Sequence, residues 1–578
     1  MQSPLLWLAL ACHLFFATGY LVLTPSFEAP DENDHYYYAF HLANAGHLPL
    51  SPGLAAARGL APTEGCNLAH HPPLYYALLA ACLCASQQAD TVFSPRINPH
   101  FGDAAHASQH LHFLHGADDA RPWTEGHAVL LGLRWLSVLF GLGSVICVYW
   151  TGRVSFPEQP RVADAAALLV SCLPMWSFLH GVLNNDSLAT LLASASLAML
   201  VLIARSERLT ARTAIGTGVL LALALLTKNT TLFLVPLAAI VFATAVWREA
   251  RAGHGPRAAL LTMGATAAVF ASCGWMYWRN TSLYGGPLAM SAHDAAFAIK
   301  KVPDAVVWQW LWDGFLPQVF SSLLGCFGWF HLAPHAALVW AGAILALCAC
   351  LGFARLLLDR SPRPRPLWLL ASACLLVFAG TAHFNMTAMQ PQGRLLFPAV
   401  APAAVVFAAG LLRFGQMIRL RRVGLALCAL PPVLGTVVMF GWFAPALDPG
   451  LAPGPDHHAS MVGGVLAEVP VPGISWREPL PQLPASVAPK LQWSDASASP
   501  DAFYSLYAGD ADGRVWLATW EWGAIEMRGG EAIIDERAWA FLPKDHDVFL
   551  VLRRVPNWRK GERLADMPAS APLPFRRE

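Results

Sequence analysis

Long apolar runs alternate with short polar connections along most of this 578-residue chain. A helix of about 20 apolar residues crosses the roughly 30 Å hydrocarbon core of a bilayer. Eleven runs approach or reach this length, and they lie near 4–24, 128–150, 162–181, 187–204, 213–227, 231–247, 258–278, 335–354, 366–383, 395–412 and 423–444. The pattern predicts an α-helical polytopic membrane protein with about eleven transmembrane helices.

Arginine is concentrated in every second connection between these runs. Five connections carry Arg clusters, which begin at Arg153, Arg205, Arg248, Arg355 and Arg413. Positive residues mark the cytoplasmic side of a membrane protein, so the Arg-poor connections are predicted to face outward. With eleven spans the N-terminus lies inside and the C-terminus lies outside an inner or plasma membrane.

Two further apolar segments are too short to count as spans. Residues 72–87 number only about 16, and a crossing there would invert every later Arg cluster. We interpret them as a juxtamembrane helix in a large outer loop, residues 25–127, and we interpret 314–333 in the same way. The run 4–24 is predicted to be a retained anchor, since no positive charge precedes it and no clear cleavage site follows it.

The sequence changes character after residue 444, which ends the predicted transmembrane domain, residues 1–444. Residues 445–489 are rich in Pro, Ala and Gly, as is typical of a linker. Residues 490–578 contain stretches of alternating apolar and polar residues, for example 514–520 and 547–552. Alternation of this kind predicts strands, and hence a small extracytoplasmic β-rich domain.

Composition supports the membrane class and excludes others. The chain is 56% hydrophobic and 13% charged, whereas soluble domains are about 25% charged. A formal net charge of +1 gives no sign of a nucleic-acid partner. Most of the 12 Cys lie inside apolar runs, where they act as small hydrophobic residues, so neither a disulfide framework nor a zinc site is predicted from them.

Polar residues near the spans cluster at their predicted outer ends. The groups are Asp31-Glu32, His70-His71, Asp186, Lys228 and Arg394. Each alone has an ordinary explanation, such as a helix cap or an interfacial anchor. Their convergence at one depth on one side favours a functional site.

Transfer of a group from a lipid phosphate is the chemistry that suits these residues. A departing phosphate needs fixed positive charge, which Lys228 and Arg394 can supply, and Arg can bind phosphate through two hydrogen bonds. An incoming hydroxyl needs a carboxylate as general base. Asp31 is the predicted base.

The same residues resemble the motifs of C-type (GT-C) membrane glycosyltransferases, in the protein O-mannosyltransferase and aminoarabinose transferase branch. The matching motifs occur in family order, as Asp31-Glu32, Pro72-Pro73-Leu74, Asn185-Asp186, Thr227-Lys228 and Gln392-Gly393-Arg394. The set covers residues 1–412 and is far more specific than any single motif.

The resemblance implies an enzyme, a hexosyl- or pentosyltransferase. Its donor would be a sugar linked to polyprenyl phosphate, and its acceptor a hydroxyl of a lipid, glycan or protein on the extracytoplasmic face. Asp31 would be the catalytic carboxylate, with Glu32 beside it. The residues placed at the donor phosphate would be Lys228, Arg394, Asp186 and His71.

The chain departs from the family at one motif. Aminoarabinose transferases have Glu-Lys before the Pro-Pro pair, with the Lys on phosphate and the Glu near a metal. His70 and His71 stand there instead, and this departure counts against a phosphate role for His71 and a metal role for His70. A divalent metal remains the candidate cofactor, with His70 as a weak candidate ligand. The His-rich stretch from His100 to His127 is a second candidate for metal binding.

Two other functions fit parts of the pattern. A lipid-linked sugar polymerase or ligase would use the same class of donor. A transporter would place ionisable residues near the middle of the bilayer, often on broken helices. The short runs on either side of Lys228 look like a broken helix, whereas the other charges lie at span ends.

Overall fold

The structure is a computed structural model of the whole chain. It describes residues 3–86, 96–97, 110–115, 125–297, 307–359, 366–387, 390–418, 421–447, 474–477, 489–496, 503–510, 515–518, 525–528, 530–534, 539, 547–555 and 570–576.

The chain forms two compact units. The first contains Met1–Val92 and Trp123–Ala446, and the second contains Phe93–Pro122 and Leu447–Glu578. The first unit therefore ends close to the predicted end of the transmembrane domain. Residues 93–122 of the predicted outer loop group with the C-terminal unit.

Helices make up the described part of the first unit. The α-helices are α1 (Pro4–Leu23), α2 (Glu32–Ala45), α3 (Pro52–Ala57), α4 (Leu74–Ala85), α5 (Glu125–Ser155), α6 (Pro160–Ser171), α7 (Pro174–Leu179), α8 (Asn185–Arg205), α9 (Ala211–Leu225), α10 (Leu234–Arg251), α11 (Gly255–Tyr284), α12 (Met290–Phe297), α13 (Val307–Trp310), α14 (Leu316–Gly325), α15 (Ala336–Leu358), α16 (Leu367–Thr387), α17 (Val400–Met417), α18 (Arg421–Val438) and α19 (Ala444–Ala446). The 3₁₀ helices of this part lie at Pro62–Glu64, Asn229–Phe233 and Gly393–Ala399. Turns of π-helix lie at Leu311–Phe315 and Met439–Phe443.

Eight helical stretches in the described residues are long and apolar enough to cross a membrane. They are Pro4–Leu23, His127–Ser155, Asn185–Arg205, Asn229–Arg251, Gly255–Tyr284, Ala336–Leu358, Leu367–Thr387 and Gly393–Met417. The predicted class, an α-helical polytopic membrane protein, is confirmed. The count of eleven spans stays a prediction.

The other three predicted runs form shorter or interrupted helices. Residues 162–181 divide into α6 and α7, and Pro174, which lacks a backbone N–H, begins the second piece. The run 213–227 forms α9, which has 15 residues. The run 423–444 forms α18, which contains two prolines and continues into a π-helical turn.

The short helices α2 and α4 pack against each other and supply several polar side chains. The rings of Tyr38 on α2 and Tyr76 on α4 stack with their centroids 3.8 Å apart. The backbone N–H of Leu74 donates to the carbonyl of Leu226 at 2.9 Å, which joins the start of α4 to the end of α9. With 12 residues, α4 is about 18 Å long, much shorter than a bilayer core.

The second unit contains small antiparallel sheets. Its strands are β1 (Arg96–Ile97), β2 (Phe113–Leu114), β3 (Ile474–Trp476), β4 (Lys490–Asp495), β5 (Phe503–Asp510), β6 (Val515–Ala518), β7 (Ile525–Arg528), β8 (Glu531–Ile534), β9 (Asp547–Val555) and β10 (Leu573–Arg576). In the described residues, the two larger sheets have the orders β10-β9-β5-β6 and β3-β4-β8-β7. Leu491, Leu506 and Leu550 are buried in their common core, so the β-rich C-terminal region is confirmed.

Candidate active site

Asp31 immediately precedes α2 in a backbone conformation that is uncommon outside glycine. Its φ is 62° and its ψ is 6°, in the left-handed region. Asp tolerates this region better than most residues, and such positions cluster at functional sites. The Asp31 carbonyl accepts a hydrogen bond from the backbone N–H of His35 at 2.9 Å, which stabilises the turn.

Arg394 forms an ion pair with Asp31 across 363 residues of sequence. Its Nη2 lies 2.8 Å from Asp31 Oδ2, and its Nε donates to the side-chain oxygen of Gln392 at 2.8 Å. The guanidinium also lies over the Phe330 ring, 4.8 Å from the centroid. The Arg394 side chain is 8% exposed and that of Asp31 is 28% exposed. A well-held cation therefore faces a carboxylate that solvent still reaches.

The glycine before Arg394 is explained by a close approach of two backbones. A Cβ added at Gly393 would overlap the backbone of Leu323. The N–H of Gly393 donates to the Ser322 hydroxyl at 2.8 Å. Glycine at this position lets the Arg394 segment pack directly against α14.

The charges around Asp31 favour its ionised form. Burial alone would raise the pKa of this carboxyl group, but the Arg394 guanidinium, with smaller contributions from His35 and Lys228, lowers it below its ordinary value of 3.8. Asp31 is therefore a carboxylate at neutral pH and is ready to accept a proton.

Asp186 and Lys228 form a second ion pair, with Oδ1 and Nζ 2.7 Å apart. Asp186 lies in the first turn of α8, where the helix dipole favours negative charge. The cap of this helix is Asn184, whose side chain accepts the N–H of Asp186 at 2.8 Å. Lys228 lies between α9 and the 3₁₀ helix Asn229–Phe233. Burial and the charge of Arg394 lower the pKa of Lys228, against an opposing effect of Asp186.

The two ion pairs lie close enough to influence each other. Lys228 contributes to lowering the pKa of Asp31, and Arg394 contributes to lowering the pKa of Lys228. Two carboxylates and two cations thus form one cluster with no net formal charge. Four of the predicted site residues, which lie far apart in sequence, are brought together here.

Glu32 has a different environment from Asp31, although the two are adjacent. Its side chain is 0% exposed, and its carboxylate receives Nε and Nη2 of Arg134 at 2.8 and 2.6 Å. The backbone N–H groups of Phe27 and Leu183 also donate to it, at 3.0 and 2.8 Å. Arg134, on α5, further donates to the carbonyls of Leu21, Thr24 and Pro25. Glu32 and Arg134 therefore join α1, α2, α5 and the segment before α8.

The Tyr76 hydroxyl is the centre of a hydrogen-bond network next to the ion pairs. It lies 3.1 Å from Nδ1 of His35, 3.1 Å from Nδ1 of His71 and 3.2 Å from the side-chain amide of Asn185. The Asn185 amide also lies 3.2 Å from His71 Nδ1. With Nδ1 accepting from this amide, His71 carries its proton on Nε2. The network links α2 and α4 to the start of α8, beside Asp186.

Burial keeps the histidines of this network neutral. It lowers the pKa of His35 to about 3, and burial together with His70 and Lys228 lowers the pKa of His71 well below its usual value. His71 can therefore offer a hydrogen bond to a phosphate but not a full positive charge. Its predicted phosphate role stays a prediction, and the fixed charge of the site comes from Lys228 and Arg394.

His70 lies beside His71 and His293, with ring centroids 4.5 and 5.5 Å away. Among the described residues, its Nδ1 finds no hydrogen-bond partner although it is buried. However, among the residues that the structure describes, His70 is not in a group of three ligand side chains close enough for one ion. A metal at His70 stays a prediction. In the His-rich stretch, His100 and His106 lie outside the described residues.

Sequence reasoning missed three residues of this region: Arg134, His35 and Tyr76. Arg134 had a clear signal, because it is an isolated Arg within the apolar run 128–150, and charged residues inside spans are usually paired. His35 and Tyr76 follow the Asp31-Glu32 and Pro72-Pro73-Leu74 motifs by two or three residues. Only the packing of α2 on α4 shows that the two side chains meet.

Residues 126–278 match the family model of dolichyl-phosphate-mannose-protein mannosyltransferases. The match covers α5, α8 and Lys228, and the described helices of this chain suit an integral membrane protein. The matched segment is about a quarter of the chain, and its similarity agrees with the motif prediction of a membrane glycosyltransferase that uses a polyprenyl-phosphate-linked sugar. No curated protein sequence matches this chain.

Several solved structures are similar to this chain at low sequence identity. ArnT from Cupriavidus metallidurans, bound to undecaprenyl phosphate, is 12% identical; the match covers 83% of this chain and 84% of ArnT, with a TM-score of 0.45. AglB, an oligosaccharyltransferase from Archaeoglobus fulgidus, is 14% identical over 80% of this chain and 58% of its own, with a TM-score of 0.39. The Pmt1-Pmt2 protein O-mannosyltransferase of S. cerevisiae is 16% identical over 56% and 37%, with a TM-score of 0.31.

Proposed function

We propose that the cluster of Asp31, Arg394, Asp186 and Lys228 is the catalytic centre of the transferase. It moves a sugar from a polyprenyl phosphate to an acceptor hydroxyl. The observation that carries the proposal is the proximity of a solvent-reachable, ionised carboxylate to two cations, with Asp31 and Arg394 paired at 2.8 Å. A base and a phosphate-binding charge are the two things this transfer needs.

Asp31 accepts the proton of the acceptor hydroxyl. As the acceptor oxygen bonds to the anomeric carbon, the bond from that carbon to the phosphate oxygen breaks, and its electron pair leaves with the polyprenyl phosphate. Because the pKa of Asp31 is lowered, it is ionised before the reaction and takes the proton as the hydroxyl oxygen loses electron density.

Lys228 and Arg394 receive the phosphate. In the part of the chain that the structure describes, Nη1 of Arg394 makes no hydrogen bond, and Nζ of Lys228 makes one, to Asp186. Lys228 and Arg394 therefore keep N–H donors available for a phosphate. Asp31, Gln392 and Asp186 hold these two side chains in place. Negative charge on the leaving phosphate is stabilised by cations that are already oriented.

Glu32 positions Asp31 in this proposal and does not touch substrate. Four hydrogen bonds from Arg134, Phe27 and Leu183 occupy its carboxylate oxygens. A carboxylate that is so fully used as an acceptor, and is removed from solvent, is poorly suited to take a proton from an incoming hydroxyl.

The acceptor is a lipid, glycan or protein hydroxyl, and the reaction takes place on the extracytoplasmic face. The placement rests on the Arg clusters, which mark the opposite ends of the spans as cytoplasmic. A polyprenyl chain lying in the bilayer would deliver its phosphate at headgroup depth, where the spans end. A lipid-linked sugar polymerase or ligase would use the same donor and differ only in its acceptor.

The test is transfer of radiolabelled sugar from polyprenyl-phosphate donors to membrane extract by the purified protein. Asp31→Asn should lower turnover by about 10²–10⁴-fold, as loss of a general base does. Lys228→Met and Arg394→Met should weaken donor binding and slow chemistry together.

The ion pair of Asp359, directly after α15, and Arg413, on α17, has atoms 2.8 Å apart and provides matched controls. Asp359→Asn and Arg413→Met should leave turnover near that of the unaltered protein. Near-normal turnover of Asp31→Asn would exclude it as the base. Defects of Lys228→Met and Arg394→Met confined to acceptor affinity would remove both cations from the phosphate site.

A further inference from the structure

A cluster of potential metal ligands lies away from the proposed catalytic centre. His41, His47 and Glu64 each offer one ligand atom, and the three atoms lie within 4.8 Å of one another. His41 is on α2, ten residues after Asp31, so about 15 Å of helix separates them. In the described residues this is the one group of three His, Cys, Asp or Glu side chains close enough for a single ion.

The hydrogen bonds of the two imidazoles leave their Nε2 atoms as acceptors. His41 Nδ1 lies 3.0 Å from the carbonyl of Thr63, so Nδ1 is the protonated nitrogen and Nε2 carries the lone pair. Nδ1 of His47 lies 3.4 Å from the carbonyl of Leu48, which favours the same tautomer. Metal-binding histidines are commonly oriented by such a bond to a backbone carbonyl.

The Nε2 atoms of the two histidines and the Glu64 carboxylate are all acceptors, and they lie close together in the described residues with no hydrogen-bond donor between them. Nε2 of His41 and of His47 lie 3.9 and 3.6 Å from Oε2 of Glu64. His41 is 8% exposed, and in the part of the chain that the structure describes its Nε2 is buried without a hydrogen-bond partner. Two lone pairs and a carboxylate so close together are unfavourable unless a cation is shared among them.

We propose that His41, His47 and Glu64 bind a divalent transition metal of the zinc type. Two imidazoles and one carboxylate form a known zinc ligand set, with a water in the fourth position. Ligand bonds of about 2.0–2.2 Å place the atoms of a tetrahedral site about 3.3–3.6 Å apart. The two His–Glu64 separations of 3.9 and 3.6 Å need to shorten by at most a few tenths of an ångström, and the two imidazole nitrogens, within 4.8 Å of each other, by up to about 1.5 Å. His47, at 59% exposed, can make that adjustment and leaves room for the water.

The ion would join α2 to the segment that leads into the catalytic centre. Glu64 ends the 3₁₀ helix Pro62–Glu64, and the backbone N–H of Cys66 donates to the Leu50 carbonyl at 2.8 Å. The chain then turns, with the N–H of His71 donating to the Leu68 carbonyl at 2.8 Å. Binding at Glu64 would therefore anchor the loop that delivers His71 to the Tyr76 network.

The experiment uses full-length protein in detergent, purified with a tag that contains no histidine and stripped with a chelator. Zn²⁺ is added back, and bound metal is measured by elemental analysis after gel filtration. Co²⁺ is used as a spectroscopic substitute. We expect the unaltered chain to bind one more equivalent of zinc than His47→Ala or Glu64→Gln, and to show four-coordinate Co²⁺ absorption that both variants lose.

Because His47 is largely exposed, His47→Ala should fold whether or not metal binds. Zinc should raise the thermal unfolding temperature of the unaltered chain and not that of His47→Ala. His254→Ala, which removes another exposed histidine, should behave like the unaltered chain. Equal zinc content and equal Co²⁺ spectra in the unaltered chain and in a His41→Ala/His47→Ala/Glu64→Gln variant would overturn the proposal.

Discussion

At the residue scale, the proposed mechanism links Asp31 and Arg394, since the cation proposed to bind phosphate also lowers the pKa of the proposed base. The pKa of Asp31 lies below its ordinary value because Arg394 outweighs the effect of burial. The base is therefore ionised from neutral pH down to below pH 3.8. Sugar transfer should be lost only as the pH falls through this lowered pKa, because Asp31 is then protonated.

Arg394→Gln should move the acid limb of the pH profile of kcat/KM, which reports the pKa values of the free enzyme, to higher pH. The substitution removes the charge and the hydrogen bond that favour the carboxylate, while the effect of burial, which raises the pKa, remains. The measurement is kcat/KM for sugar transfer between pH 4 and pH 8, where the unaltered protein should show a flat profile.

Arg413→Gln, in the ion pair with Asp359, serves as the control and should keep the flat profile. Lys228→Met should shift the limb in the same direction as Arg394→Gln, but by less, because Lys228 contributes less to the pKa of Asp31. An acid limb that stays in place in Arg394→Gln would show that Asp31 is not the titrating base or that Arg394 does not set its pKa.

The residue types of the site were predictable from sequence, but their partners were not. Asp31, Lys228 and Arg394 follow from charge at the ends of apolar runs, a pattern that local sequence carries. That Arg394 pairs with Asp31, and Lys228 with Asp186, depends on segments 363 and 42 residues apart coming together. Charge placement along the chain contains no information on which cation meets which carboxylate.

At the scale of elements, the buried pair of Glu32 and Arg134 joins α2 to α5, and Arg134 also bonds to the end of α1. Breaking one partner of a buried ion pair typically costs about 3–5 kcal/mol, because the other charge stays buried alone. Glu32→Gln should therefore lower the unfolding temperature strongly, as measured by thermal unfolding in detergent. Protein that remains folded should keep most of its turnover.

Asp31→Asn is the comparison, since it should lose turnover with little change in unfolding temperature. A double variant, Glu32→Gln/Arg134→Met, should recover part of the lost stability because no buried charge is left unpaired. Glu32→Gln that unfolds at the normal temperature but lacks turnover would support the catalytic role predicted from sequence. It would contradict the positioning role.

Element prediction succeeded where an apolar run was long and uninterrupted. The runs near 4–24 and 187–204 correspond to α1 and α8 within a few residues, because length and apolar composition alone require a helix in lipid. The run 162–181 divides at Leu173-Pro174 into α6 and α7, where a proline interrupts the backbone hydrogen bonds. Hydropathy averages over such a break and does not detect it.

At the scale of the whole molecule, the Arg clusters predict which ends of the helices face the cytoplasm. On a background that lacks the 12 native Cys, Ala57→Cys and Gln492→Cys should react with an impermeant thiol reagent from outside the cell. Arg208→Cys should react only after the membrane is opened. All three positions are exposed in the structure, so burial does not limit the reaction.

Retained transferase activity in each variant would show that the labelled protein is folded. Labelling of Arg208→Cys in intact cells would place the Arg clusters outside and reverse the proposed face of catalysis.

The sequence by itself determined the membrane class, most helix positions, the strands of the C-terminal unit and the charged residues of the site. These properties depend on the length of the apolar runs, on their periodicity and on residue type, all of which can be read from short stretches of sequence. Only the tertiary structure distinguished the two adjacent carboxylates. Glu32 is buried against Arg134, whereas Asp31 is reached by solvent and forms an ion pair with Arg394. The tertiary structure also brought His41, His47 and Glu64 together. The roles of adjacent, chemically similar residues depend on which distant segments pack around each, and that packing is a property of the folded chain.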